Sequence, residues 1–454
     1  MDLQYRTEKD SLGEVNVPSN ALFGAQTQRA KDNFNISSLL MPAQFIQSLA
    51  LIKASAAKVN GQLGLLEPTV ADAIYHAAMT LAAGQHIEQF PVDVFQTGSG
   101  TSTNMNANEV IASLASEQLK QTIHPNDAVN CSQSSNDVIP TAIHVSAQLA
   151  ISQQLLPALT KLQATLAAKE QDVAGQLKTG RTHLMDAMPL SLAQELSGWR
   201  AQLSLAANRI TDSQKRLCQI AQGGTAVGTG VNAPDDFAAL FAQQLSSLTG
   251  QPFSSADNLF SALSSQDTAV EVSGQLKALA VALLKIANDL RWMNSGPLTG
   301  LAEITLKPLQ PGSSIMPGKI NPVLPEAVAM AAAQVIGNDT TITIAGGSGN
   351  FQLNVMLPVI AFNLLQSIEL LTGSCDALMT TIADFTVNAS QLEQSLARNP
   401  ILATALNNEI GYNKAAEIAK RAYAEKRPIL DVAKEMTDLD EAYLAKLLNP
   451  EALI

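Results

Sequence analysis

Residues 311–322, PGSSIMPGKINP, place two hydroxyls, one ammonium and one amide among three prolines and two glycines. On either side the chain runs in Ala, Leu, Val and Ile with helical spacing, so this loop is built for something other than packing. Gly312 and Gly318 permit backbone angles closed to other residues. Ser313 and Ser314 supply hydroxyls, while Lys319 and Asn321 together can hold a carboxylate. Asn321 reads as a helix N-cap, with Pro322 at the first helical position. Glu326 then lies near the positive end of the helix dipole, which favours its ionised form. An ionised glutamate can orient and charge a histidine.

Three further stretches share this small, polar composition: TGSGTSTNMN (97–106), SQSSND (132–137) and GRTH (180–183). Each is expected to precede a helix closely, where unpaired backbone N–H groups suit carboxylates and phosphates. Ser, Thr and Asn also serve simply as caps, and that reading stands beside the binding one for any single stretch. None is a P-loop: GSGTST lacks the Gly-Lys-Ser/Thr ending, and GGTAVGTG (223–230) has no lysine and reads as turns closing a bundle.

Of five histidines, His76, His86 and His144 fall within helical patterns and read as surface or satisfied core residues. His183 in GRTH sits among candidate site residues, and His124 in the HPND turn reads as a loop residue or part of a secondary anion site. No pair has metal-ligand spacing, so no metal site is expected. Cys131, Cys218 and Cys375 are far apart, which suggests three buried thiols in a reducing, cytoplasmic setting rather than a cluster.

Long helices must position these residues. Aromatics are 4% of a chain that is 46% apolar, so the core is aliphatic and alanine-rich, which favours close-packed helices. Leu192, Leu196, Trp199, Leu203, Ala206, Ile210, Leu217 and Ile220 follow alternating steps of four and three, with Ser213 filling the gap. The same rhythm runs from Val272 to Leu290 and from Leu364 to Phe385. It places each set on one seam of a long helix, and several such helices form an all-α bundle. Three parts are expected: a mixed, mainly helical domain over 1–133, a central bundle over 134–388 and a small helical domain over 389–454. The net charge of −12 argues against nucleic acid or an anionic membrane. MDLQYRTEKD carries no signal segment, and no apolar run is expected to span a membrane. Consecutive antiparallel helices starting near Asn136 and Pro189 would put SQSSND and GRTH on the order of 50 Å apart. If both serve one site, a second chain must supply one of them.

GSSIMPGKINP resembles the signature loop of the fumarase/aspartase superfamily. The resemblance extends through DSLGEVNVPSNALFGAQTQRA, TGSGTSTNMNANEVIA, HPNDAVNCSQSSNDVIPTA, GRTHLMDAMPLSLAQELSGW, GGTAVGTG and SGNFQLNVMLPVIAFNLLQSIELL, nearly the whole chain. It is closest to the class II, iron-independent fumarate hydratases, cofactor-free enzymes of the tricarboxylic acid cycle. The resemblance implies that Ser313 is the catalytic base, and that Lys319 and Asn321 bind a substrate carboxylate. Thr101, Ser134, Ser135, Asn136 and Thr182 hold the rest of the dicarboxylate, with Ser99, Asn104 and Ser314 in the same set. His183, paired with Glu326, handles the water. It also implies a homotetramer with a core of packed long helices and active sites shared between chains.

Thr-His at 182–183 is fumarase-like, whereas aspartases typically carry Gln there; an aspartate ammonia-lyase, or another lyase of the same superfamily, is the alternative enzyme. A non-catalytic helical oligomer would not require Ser313, Lys319, His183 and Glu326 together. The resemblance also implies a second anion site at His124, Asn126 and Asp127. Gln121 stands where some members have arginine, which would weaken a dicarboxylate there. Leu298-Thr299 departs from the usual wording without a mechanistic reading.

Overall fold

The four-three seams become four long helices in the computed structural model, which describes residues 4–454. They are Leu192–Leu217, Asp267–Met293, Val323–Gly346 and Leu357–Asp384. The apolar seam positions are buried in each, among them Trp199, Leu203, Leu276, Leu283, Leu364 and Leu371. Ser213, the one polar residue in its seam, is fully buried and donates to the Ile210 carbonyl at 2.7 Å, which satisfies its hydroxyl. The fold is all-α: among the described residues seventeen α-helices stand beside ten short strands, which pair only in twos. By length and composition Leu357–Asp384 is apolar enough to cross a membrane, contrary to the sequence expectation. Yet 56% of its most apolar stretch is buried, as in a core helix.

Two compact units are each assembled from separate stretches of chain. The first takes Met1–Pro157, Ala206–Ala280 and Ala332–Thr372; the second takes Ala158–Leu205, Val281–Ala331 and Gly373–Ile454. In the first, a hairpin of Tyr5–Asp10 and Gly13–Pro18 precedes the helices Ala25–Asn33, Ala43–Gln62, Pro68–Ala82 and Thr101–Leu119. The helix Ser135–Ala150 packs against Ala43–Gln62, as does Phe237–Thr249.

In the second unit, the end of the chain folds around its own core of Leu402, Leu406, Ile418, Val432 and Leu444. A hairpin of Leu177–Thr182 and Met185–Ser191 leads into the helix Leu192–Leu217. Ser191 and Gln194 cap that helix reciprocally, each side chain accepting the other's backbone N–H, at 3.1 and 2.9 Å. The helix therefore starts at Leu192 rather than near Pro189. Cys218 and Cys375 are buried and Cys131 only half so; all three are free. Burial pushes the Cys375 thiol up to about 12.

Candidate active site

The start of the helix Ser135–Ala150 is the most heavily braced of these places. Ser134 caps it, its hydroxyl accepting the Asn136 N–H at 3.2 Å, while Asp137 accepts the Ser134 N–H at 2.9 Å. The second carboxyl oxygen of Asp137 accepts Gln222 Nε2 and the backbone N–H groups of Gly223 and Thr225, at 2.9–3.0 Å. Burial pushes its carboxyl up to about 6, against the pull of those hydrogen bonds. Asn136 Nδ2 donates to the Ala226 carbonyl at 2.8 Å. The GGTAVGTG turn thus fastens onto the Ser-Ser-Asn helix start. The Ser134-x-x-Asp137 spacing was a signal for this brace; its partners 85 or more residues away had none in the sequence.

The helix Thr101–Leu119 begins after Gly100, whose φ of 72° lies in the left-handed region. Two residues earlier, a side chain on Gly98 would overlap the Val355 carbonyl. Ser99 and Thr101 share a hydroxyl hydrogen bond at 2.8 Å. Asn104 is fully buried and donates to Ser135 Oγ at 2.9 Å. Two of the polar stretches, 97–106 and 132–137, therefore meet within the first unit, as hydroxyls and amides grouped at two helix starts. Such a group receives carboxylates well.

His124 and Asn126 line a cavity of about 640 Å³ in this unit, with Arg6, Lys9, Glu8 and Asp10 on other walls. Asp127 does not line it; it faces His124 Nδ1 at 3.3 Å. Arg6 donates to the carbonyls of Pro18, Ala21 and Phe23 and pairs with Glu8, so its charge is already engaged.

In the second unit, GRTH does not precede a helix. It ends the Leu177–Thr182 strand, and His183 and Leu184 form the turn with φ of 56° and 60°. Non-glycine residues at both positions of such a turn carry backbone strain, and strained positions concentrate at working sites. The strand won because Leu177 and the Thr residues suit a pleat, and Lys178 and Arg181 anchor it. Lys178 bonds Glu195 and Glu303, and Arg181 bonds Glu303, all at 2.7 Å in a largely buried cluster. Thr182 and His183 are left exposed.

The 311–322 loop is closed at its base: Gly312 N–H donates to the Lys319 carbonyl at 2.8 Å, and Asn321 Nδ2 to the Gly312 carbonyl at 2.7 Å. The side chain of Asn321 thus seals the loop instead of capping the helix, which starts at Val323. Glu326 remains in the first helical turn. Ser313 Oγ accepts two backbone N–H groups, from Ile315 at 3.2 Å and Met316 at 3.0 Å. Two N–H donors aimed at one hydroxyl oxygen favour its alkoxide. Ser314 and Lys319 are exposed. Among the described residues of one chain, no ion pair or hydrogen bond joins His183 to Glu326, so the expected pairing is not made within the single chain.

A sequence profile described as a lyase family matches residues 13–337, and one described as the fumarase C C-terminus matches residues 402–454. The chain is 59% identical over 449 residues to fumarate hydratase class II 2 of Pseudomonas aeruginosa, covering 99% of this chain and 98% of that one. It is 57% identical over 452 residues to the class II fumarate hydratase of Xylella fastidiosa (strain 9a5c), covering 99% and 95%. A crystal structure of a class II fumarase from Schistosoma mansoni superposes with a TM-score of 0.95 at 38% identity, covering 98% of each chain.

Proposed function

The chain belongs to the class II fumarate hydratases, and we propose on that premise how its residues divide the addition of water to fumarate. It is a hydro-lyase: water adds anti across the double bond to give (S)-malate, and the reverse reaction expels it. In the reverse direction the Ser313 alkoxide takes the proton from C3 of malate. The electron pair left on carbon spreads into the adjacent carboxylate, where Lys319 and Asn321 offer cationic and N–H donors. Such contacts strengthen as charge develops and so lower the barrier. His183 then gives a proton to the departing hydroxyl, and Glu326 orients that imidazole. Ser99, Thr101, Ser134, Ser135, Asn136, Thr182 and Ser314 bind the remaining carboxylate and the hydroxyl, with the buried Asn104 behind them on Ser135.

The observation that carries this reading is Ser313 Oγ facing the amides of Ile315 and Met316. A serine is too weak an acid to be a base at neutral pH unless its alkoxide is specifically stabilised.

We propose further that the chain works as a homotetramer with shared sites. Three helical segments, Ser135–Ala150, Ile151–Leu155 and Leu156–Asp172, separate SQSSND from GRTH along the chain. A partner chain supplying the other group would also account for the unpaired Glu326. Exposed Leu205, Val281, Trp292, Met330 and Ile344 on the long helices give such chains apolar surface to cover. Three free thiols fit a reducing cytoplasm, and the reaction fits the tricarboxylic acid cycle.

The test is the ultraviolet absorbance of fumarate with the purified protein and a chelator, with and without ammonium. Loss of absorbance without ammonium supports the reading, and loss only with ammonium makes the protein an ammonia-lyase.

A further inference from the structure

Lys53 lies on the buried face of the helix Ala43–Gln62, with no exposed surface. Its ammonium has amide oxygens for partners, Asn130 Oδ1 at 3.0 Å and Gln133 Oε1 at 3.1 Å; among the described residues no carboxylate is within ion-pair distance. Removing an ammonium from water without a paired anion is costly, and an unbranched apolar side chain would fill the same space without that cost. A charge kept in such a place needs an explanation other than packing.

Hydrogen-bond direction supplies one. Asn130 Oδ1 accepts three donors: Lys53 Nζ, Asn104 Nδ2 at 3.2 Å and Asn108 Nδ2 at 3.1 Å. An ammonium has only protons to offer, so the Asn130 amide cannot turn its NH₂ group toward it. With Asn130 fixed, Asn104 must present its own NH₂, which also reaches Ser135 Oγ at 2.9 Å. Ser135 therefore accepts from Asn104 and keeps its own O–H free to donate. An anion at the helix start requires that donor. Asn130 Nδ2 also donates to the Gln133 carbonyl at 3.1 Å, a second hold on its orientation. A neutral amine at Lys53 has a lone pair, leaves that carbonyl to oppose a turn of Asn130 unaided, and so eases a turn of Asn104 with it. Ser135 would then spend its proton on Asn104 Oδ1, an oxygen otherwise buried without a partner.

We propose that Lys53 is a positioning residue of the hydration reaction: its ammonium sets a one-way chain of hydrogen bonds through Asn130 and Asn104 that leaves Ser135 a donor to the dicarboxylate. The proposal rests on the functional reading above. Burial draws the Lys53 pKa down to about 7, and Asp137 on the helix Ser135–Ala150 is the charged group that opposes this. The chain is therefore held more firmly below about pH 7 than above it.

The experiment is Lys53→Met in the full-length enzyme, read as KM, kcat and melting temperature from pH 6 to 9. KM for fumarate should rise about tenfold at pH 6.5, the size of one hydrogen bond to a charged group, with kcat less affected and melting temperature not lowered. The wild-type rise of KM above pH 7 should vanish in the variant. An unchanged KM, or a raised KM that keeps the wild-type pH profile, overturns the proposal. Should the variant not fold, calorimetry of wild-type enzyme with succinate at pH 8, in buffers of different ionisation heat, reads the same coupling. Proton uptake on binding supports it, and its absence overturns it. Wild-type turnover of fumarate, measured alongside, separates a failure of this proposal from a failure of the functional reading.

Discussion

Asp137 reaches back to the backbone N–H of Ser134 with one carboxyl oxygen and holds the N–H groups of Gly223 and Thr225 with the other. One buried carboxyl thus ties the Ser-Ser-Asn helix start to a turn more than eighty residues away. Asp137→Ala would orphan three buried donors and the half-buried Ser134 N–H; a buried donor left unpaired costs about 1–3 kcal/mol. We expect a loss of at least about 3 kcal/mol in denaturant unfolding, with a raised KM. A stability loss under about 1 kcal/mol would mean the turn is held by other contacts.

Ser313 is the opposite case, a half-buried loop hydroxyl whose removal leaves its two exposed N–H donors open to water. Ser313→Ala should therefore leave the melting temperature within a degree or two and cut kcat by a factor of about 10³ or more. Near-normal turnover would remove Ser313 as the base.

His183 occupies a left-handed turn position that asparagine tolerates well and β-branched residues do not. His183→Asn should preserve the hairpin, judged by an unchanged melt, and lower kcat about 10²- to 10⁴-fold. His183→Val should lose both activity and stability. Equal activity in the Asn variant would leave the imidazole without a role.

How far the sequence disclosed these arrangements depended on how local their causes were. The seams of the long helices were legible because burial repeats every three or four residues and needs no distant partner. The 97–106 and 132–137 stretches were legible as helix starts for the same reason: Ser134 and Asp137 lie within one turn. GRTH was misread because Thr and Arg before an apolar helix resemble a cap. The hairpin that claims them has His-Leu at its turn rather than the usual Asn-Gly. Lys53 was invisible within LIKASAAKVN, where a lysine reads as a solvated position; its partner Asn130 is 77 residues away. The GGTAVGTG stretch read correctly as turns, but what it grips could only come from the fold.

Glu303 stands between Lys178 and Arg181 beneath the His183 hairpin, and all three groups are largely removed from water. Glu303→Gln would leave Lys178 with Glu195 alone and Arg181 without its carboxylate. Breaking a buried pair from one side costs about 3–5 kcal/mol, so thermal stability should fall markedly. Because the strand carrying Thr182 is anchored there, kcat should drop with it. A variant as stable as wild type would show that the cluster is solvated in the assembled enzyme.

Stability against pH carries a sign that tests Lys53 directly. Its pKa is about 7 in the folded chain against 10.5 for an ordinary lysine. Between those values the unfolded chain holds a proton that the folded chain has released, so this group makes stability rise with pH. Asp137 acts in the other direction and lower down. Folded, its pKa is about 6 against 3.8, so it makes stability fall as pH climbs through that window, and it is ionised above it. Lys53→Met removes the first contribution, and with it the ammonium's pull on the Asp137 carboxyl. The variant should be more stable than wild type at pH 7, by up to on the order of 4 kcal/mol, with the gap closing steadily toward pH 10. Chemical unfolding of both proteins at pH 7, 8, 9 and 10 measures it. A gap that stays constant would mean that Lys53 keeps its proton throughout, and a negative gap would mean that the amide cage fully offsets its burial.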